Sequence, residues 1–294
     1  MLFKIKSVLK LIRPSHYVKN LFIFLPLFFV GQITNPELFA NALVAFIAFS
    51  ISASAVYILN DYLDIEDDRK HPTKKYRPLA SGLISKKEGI FLIGLFFIMS
   101  LTIMANQSIQ ALILLSLYIF LNIGYSFYLK QIAIVDITII SIGFVLRLFI
   151  GSVVTETHLS KWIVIMTFLL ALFLALAKRR DDVIHYMNTG KKMRKVIDGY
   201  NLQLIDGAML IMASVVIVSY LLYTTSLEVI QRINSEYLYI TSIFVILGVL
   251  RYFQITFVGN NSGSPTKILL QDKFIIITIL SWILSFVYLI YYNG

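Results

Sequence analysis

Residues 41–61 read NALVAFIAFSISASAVYILND, twenty residues without a charge followed by an aspartate. A helix of about 20 such residues matches the hydrocarbon core of a bilayer. Working outward, eight further apolar runs lie at roughly 20–36, 88–106, 110–127, 132–152, 161–177, 207–227, 237–253 and 274–292. The run at 20–36 is the weakest, because Pro26 interrupts it and its apolar centre is short. Composition agrees with membrane burial: of 294 residues 58% are hydrophobic and 14% charged, and mean hydropathy is +0.80. A soluble domain would be about a quarter charged. The expected fold is all-α: a polytopic membrane protein, 1–294 as one transmembrane domain, with nine transmembrane helices.

Charge placement sets the orientation. The segment Met1–Asn20 is basic and amphipathic, and no small-residue cleavage site follows, so it is not read as a signal peptide. With the amino terminus in the cytoplasm, the inner segments are 1–19, 61–87, 128–131, 178–206 and 254–273. Together with Arg251 they hold 23 of the 26 Lys and Arg, as the positive-inside rule requires. Lys161 and Arg232 fall outside, and Arg147 lies within a span. The formal charge of +10 is therefore topological, and nucleic acid is not an expected partner. Absence of cysteine excludes disulfides, thiolate nucleophiles and Cys-based zinc sites. No tandem repeat is visible, and the sequence is compatible with a homo-oligomer.

The inner segment after the quoted helix carries the densest chemistry. From Tyr57 it reads YILNDYLDIEDDRKHPTKKYRPLASG, with Asn60, Asp61, Asp64 and Asp68 in the pattern N-D-x-x-D-x-x-x-D. If the helix continues, the three aspartates fall at i, i+3 and i+7 and share one face. Carboxylates stacked in this way repel one another unless a cation sits among them, and their position opposes the helix dipole. Hard divalent cations take oxygen ligands, and Mg²⁺ commonly combines one or two carboxylates with substrate phosphates. Asp61, Asp64 and Asp68 are thus the expected metal ligands for a Mg²⁺-bound diphosphate, with Asn60 beside them. Glu66 and Asp67 point elsewhere. His71, Lys74 and Arg77 follow as candidates for further phosphate oxygens, while Lys75, Lys86 and Lys87 read as ordinary inner-face charge. Pro72 and Pro78 make this stretch a rigid loop.

A second polar group lies at spans four and five: Tyr125, Lys130 and Asp136 in YSFYLKQIAIVD. An ionisable residue just inside a span is a functional candidate by default. Asp136 is read as holding a second Mg²⁺ or orienting Lys130. Arg147 is three turns further on, about 16 Å by helical rise, so the two cannot pair directly. Lys178 and Arg179 close span six, where snorkelling and lipid-phosphate binding are equally good readings. Lys19, before span one, is a further candidate. His16 and His185 read as interfacial, and His158 as outer.

With these residues placed, N-D-x-x-D-x-x-x-D after the second of nine spans resembles the first aspartate motif of the UbiA-type intramembrane prenyltransferases. The resemblance implies a Mg²⁺-using bundle of nine helices around a cytoplasm-facing polar cavity. The common members carry a second run of several aspartates at the second site, where this chain has only Asp136 with Tyr125 and Lys130. The stretches RPSHYVKN, NDYLDIEDDRKHPTKKYRPLASG, YSFYLKQIAIVDI, GFVLRLFIGS, LSKW and ALAKRR resemble a narrower branch, the decaprenyl-phosphate phosphoribosyltransferases. That branch implies transfer of phosphoribose from 5-phosphoribosyl 1-diphosphate to a polyprenyl phosphate of deca- or undecaprenyl length. It further implies a bacterial inner membrane and a product for arabinofuranose-containing envelope glycans.

The residues suit such a donor, which needs a metal site for its diphosphate and separate cations for its 5-phosphate. Lys130, Tyr125 and Asp136 would complete the donor pocket, and Lys19, Lys178 and Arg179 would orient the acceptor phosphate. Two alternatives stay open. Isoprenyl transfer to an aromatic ring would use the same metal site, with less need for HPTKKYRP. A transporter or flippase of a phosphorylated lipid would need charged or broken spans across the whole bilayer.

Overall fold

The structure is a computed structural model and describes residues 2–192, 194–259 and 265–291. Residue 292 of the last expected span and residues 260–264 of the last expected inner segment lie outside the described residues. Every regular element described is helical. They are α1 (Leu2–Ile12), α2 (Leu25–Phe29), α3 (Pro36–Leu63), α4 (Ile65–Lys70), α5 (Lys86–Gln107), α6 (Ile109–Phe127) and α7 (Val135–Val154). Then follow α8 (Lys161–Thr189), α9 (Leu202–Thr224), α10 (Leu227–Ile233), α11 (Ser242–Phe253), α12 (Pro265–Gln271) and α13 (Lys273–Tyr291). 3₁₀ segments lie between some of them, and a π-turn, Gln254–Val258, extends α11.

Eight of the expected spans are helices long and apolar enough to cross a membrane. The ninth, 20–36, is different: Pro14–Phe24 is a 3₁₀ helix and only α2 follows it. Pro14 sits at the start of the first piece and Pro26 near the start of the second, where a missing N–H costs no helical bond.

The chain folds as two compact units. The first comprises residues 1–130 and 146–158, that is, α1 to α6 with the C-terminal part of α7. Asn35 starts α3, its side-chain oxygen accepting from the N–H groups of Glu37 and Leu38 at 3.1 and 3.3 Å. Buried Ala42, Ala45, Ala48, Ala53, Ser50, Ser52 and Ser54 give α3 a small-residue surface, which lets neighbouring backbones come close. It packs on α5, on α6 and on the 14–24 segment. Ser85 and Glu88 close a reciprocal capping box at the start of α5. At Gly151 of α7 an added Cβ would strike the backbone carbonyl of Ile23, so only glycine permits this approach.

The second unit comprises residues 131–145 and 159–294. There α8 runs against α9, and α11 against α13. Phe173, Leu176, Ile205, Met209, Tyr252 and Ile275 form its apolar core. In both units large apolar side chains remain outside, including Phe120 at 74% exposure and Leu284 at 67%. A water-facing surface would not carry such residues along whole helices, whereas lipid requires them. The protein is an integral membrane protein.

Candidate active site

In the first unit the backbone ladder runs on past Leu63: the Asp64 N–H donates to the Asn60 carbonyl at 3.0 Å, and the Asp68 N–H to the Asp64 carbonyl at 2.8 Å. The helix bends at Asp64, φ −94° and ψ 8°, and resumes as α4. Asp61 and Asp68 are buried at 2% exposure, while Asp64 is half-buried.

Buried carboxylates need partners, and cations provide them. One guanidinium nitrogen of Arg77, Nη1, donates to Asp61 Oδ1 at 3.0 Å and to Asp68 Oδ2 at 2.7 Å. Arg13 also donates to Asp61 Oδ1, and its guanidinium lies 5.3 Å from the Tyr57 ring centre. Lys130 Nζ donates to Asp64 Oδ1 at 2.7 Å. Lys10, on α1, holds the neighbouring loop through the Tyr76 carbonyl at 3.1 Å. The Nδ1 of His71 accepts from the N–H groups of Thr73 and Lys74 at 3.2 and 3.3 Å, shaping the loop that presents Lys74 and Arg77. Tyr125 is half-buried on α6.

The expected three-aspartate metal set is thus divided, with Asp61 and Asp68 joined by Arg77 and Asp64 turned to Lys130. Among the described residues no three His, Asp or Glu converge as a ready metal centre. The donor chemistry nonetheless fits a hard divalent cation. Two carboxylate oxygens within hydrogen-bonding distance of one positive nitrogen can share one cation. Glu66 and Asp67 are exposed, as expected.

Asp136, in the second unit, is fully buried. Its Oδ2 accepts from Arg179 Nε at 2.6 Å and its Oδ1 from the Tyr200 hydroxyl at 2.6 Å. Burial and then that hydrogen bond push the Tyr200 hydroxyl above its ordinary pKa, so it stays protonated and donates. Arg179 also donates to Asp182 at 2.7 Å, and Arg194 reaches the same carboxylate at 3.3 Å. Arg180 donates to Asp206 at 2.8 Å and to the carbonyl of Thr256, in the π-turn, at 2.8 Å. Lys178 is exposed. Arg179, expected at an acceptor phosphate, is therefore 2% exposed and bound to two aspartates.

Sequence reading singled out neither Arg13 nor Asp182, Arg194, Tyr200 and Asp206. Arg13 carried two available signals, its place in a basic stretch before the first proline and at the head of RPSHYVKN. It adopts left-handed backbone angles, φ 54° and ψ 61°, an uncommon conformation for a residue with a Cβ.

Residues 20–270 match the UbiA prenyltransferase family. This chain belongs to that family. The decaprenyl-phosphate phosphoribosyltransferase of Mycolicibacterium smegmatis is 31% identical over 95% of this chain and 91% of its own length. The enzyme of the same description from Corynebacterium glutamicum is 29% identical over 97% of this chain and 87% of its own. Among solved structures, a UbiA homologue from Archaeoglobus fulgidus bound to DMAPP and Mg²⁺ superposes with a TM-score of 0.71 at 19% identity. The superposition covers 96% of this chain and 99% of that one. The all-α fold read from the sequence is the UbiA fold, and the chain is an enzyme of this family.

Proposed function

We propose that this protein transfers 5-phosphoribose from 5-phosphoribosyl 1-diphosphate to a polyprenyl phosphate, releasing diphosphate. The carrying observation is Arg77, which the HPTKKYRP loop delivers onto both Asp61 and Asp68. Basic and acidic groups interleaved in this way suit a donor with phosphates at both ends. The names of relatives matching nearly the whole chain support the same reading. The family match runs through both units, which supports treating 1–294 as one functional domain.

In this reading Asp61, Asp64 and Asp68 would hold Mg²⁺ on the diphosphate, with Asn60 positioning it. Mg²⁺ on these carboxylates would supply charge neutralisation for the departing diphosphate. Arg77, Lys74 and Lys130 then bind donor phosphate oxygens, and His71 shapes the loop that carries Lys74 and Arg77. Tyr125 lines the donor pocket, and Asp136 with Arg179 braces the ends of α7 and α8. Lys19 is assigned to the acceptor. An acceptor phosphate oxygen attacks C1 as the C1–O bond to diphosphate breaks, inverting that carbon. The nucleophile is already anionic, so positioning and electrostatics suffice and no strong base is needed. The site faces the cytoplasm of a bacterial inner membrane, and the product feeds arabinofuranose-containing envelope glycans.

The test uses purified protein in detergent, polyprenyl phosphate and donor labelled in the ribose. Label is expected in the organic-soluble lipid, lost without Mg²⁺ and lost in Asp64→Ala. Folded protein that labels no lipid of any length would remove this proposal and direct assay toward isoprenyl diphosphates and aromatic acceptors.

A further inference from the structure

Arg147 stands in the apolar interior of the first unit at 5% exposure. Its Nε donates to Asn20 Oδ1 at 2.9 Å, and the Asn20 amide donates to Ser50 Oγ at 2.9 Å. Its guanidinium lies 4.5 Å from the Phe49 ring centre and 5.3 Å from that of Tyr118. One turn on, Gly151 meets the Ile23 backbone. The 14–24 segment is thus fastened to α7 at two points, Asn20 and Ile23, and Lys19 immediately precedes the first.

Lys19 is a partly buried cation with no hydrogen-bond or carboxylate partner among the described residues. The charges that act on it are Arg147 and Arg13, both positive. Burial, then Arg147, then Arg13 lower its pKa to about 8. Like charges gathered in a low-dielectric interior are unfavourable unless an anion joins them. Arg147, unlike Lys19, lies within a span, and an intramembrane cation marks a substrate path.

We propose that Lys19 and Arg147 form a binding site for a phosphate monoester, the terminal phosphate of the lipid acceptor. This rests on the transferase reading above and gives the acceptor a place. The dianion matches the two cations, and Arg147 is oriented in advance by Asn20 and by the rings beneath it. Placement favours a lipid source over the 5-phosphate of the donor. Arg147 lies eleven residues beyond Asp136, about 16 Å along α7, amid apolar and aromatic side chains that suit a hydrocarbon tail. The donor phosphates have Arg77 and Lys74 in the polar loop.

The experiment measures thermal unfolding of the full chain in detergent, titrated with geranylgeranyl phosphate, geranylgeraniol, ribose 5-phosphate or inorganic phosphate. Geranylgeranyl phosphate should stabilise the wild type and geranylgeraniol should not. Lys19→Met should weaken the lipid phosphate about tenfold or more, as expected for one charge-assisted hydrogen bond. Lys19→Arg should stay within about threefold of wild type. Unliganded Lys19→Met should be no less stable than wild type, because it removes a repelled charge; a fall would indicate a structural role and overturn the proposal. Equal binding by Lys19→Met, or equal response of the wild type to phosphate and alcohol, would also overturn it. Loss of ribose 5-phosphate binding instead would give the cations to the donor and end the lipid assignment. None of these arms needs a donor or divalent cation, so failure of phosphoribosyl transfer is read separately by the labelling assay.

Discussion

Arg179→Met should unfold about 10 °C below the wild-type protein. Its guanidinium joins Asp136 and Asp182, and the Arg179 and Asp136 side chains are 2% and 0% exposed. Removing one partner of a buried pair leaves an uncompensated charge, which costs about 3–5 kcal/mol. For a chain of this size each kcal/mol moves the midpoint by roughly 2–4 °C. The Tyr200 hydroxyl would remain on Asp136, one donor for a fully buried carboxylate. The double variant Asp136→Leu with Arg179→Met should regain part of the loss, since no bare charge is left at position 136 and Asp182 keeps Arg194 at 3.3 Å. Circular dichroism melts in one detergent would decide it. A single variant melting within a degree or two of wild type would show that the network contributes little.

Arg77→Ala should lower donor turnover by roughly 10²–10³, the usual effect of losing one donor aimed at developing negative charge. Without Arg77, Asp68 loses the hydrogen bond at 2.7 Å and Asp61 retains Arg13. The deficit should appear in KM for the donor and in kcat, with little change in KM for the lipid. Arg77→Lys should not restore activity, because a single ammonium lacks the planar fork that spans several acceptors. Activity within about threefold of wild type in Arg77→Ala would remove this residue from the donor site and weaken the phosphoribosyl reading.

The spans were legible because lipid imposes a one-dimensional rule: about 20 apolar residues for each helical crossing. The acid cluster was legible because Asp61, Asp64 and Asp68 repeat at helical spacing where the dipole disfavours them. The 3₁₀ course of Pro14–Phe24 was not, since its apolar residues resemble those of an α-helix and the difference lies in its packing on α3 and α7. Nor was the pairing of carboxylates with cations. Arg13 is 48 residues from Asp61, and Arg179 is 43 from Asp136. No local pattern encodes such contacts. Sequence reading left Arg179 between an interfacial charge and an acceptor-phosphate ligand, whereas the fold turns it inward onto Asp136 and Asp182.

The length of α8 bears on the choice of host lipid. Its 29 residues extend about 43 Å, against a hydrocarbon thickness near 30 Å. Arg179 lies eighteen residues beyond Lys161, about 27 Å along the axis, close to where acyl chains give way to headgroups. Short-chain lipids would leave this ion-pair network in the hydrated layer, while long-chain lipids would draw it toward hydrocarbon and raise its desolvation cost. Acyl-chain length is thus a physical variable for this protein, acting through the solvation of Asp136, Arg179 and Asp182.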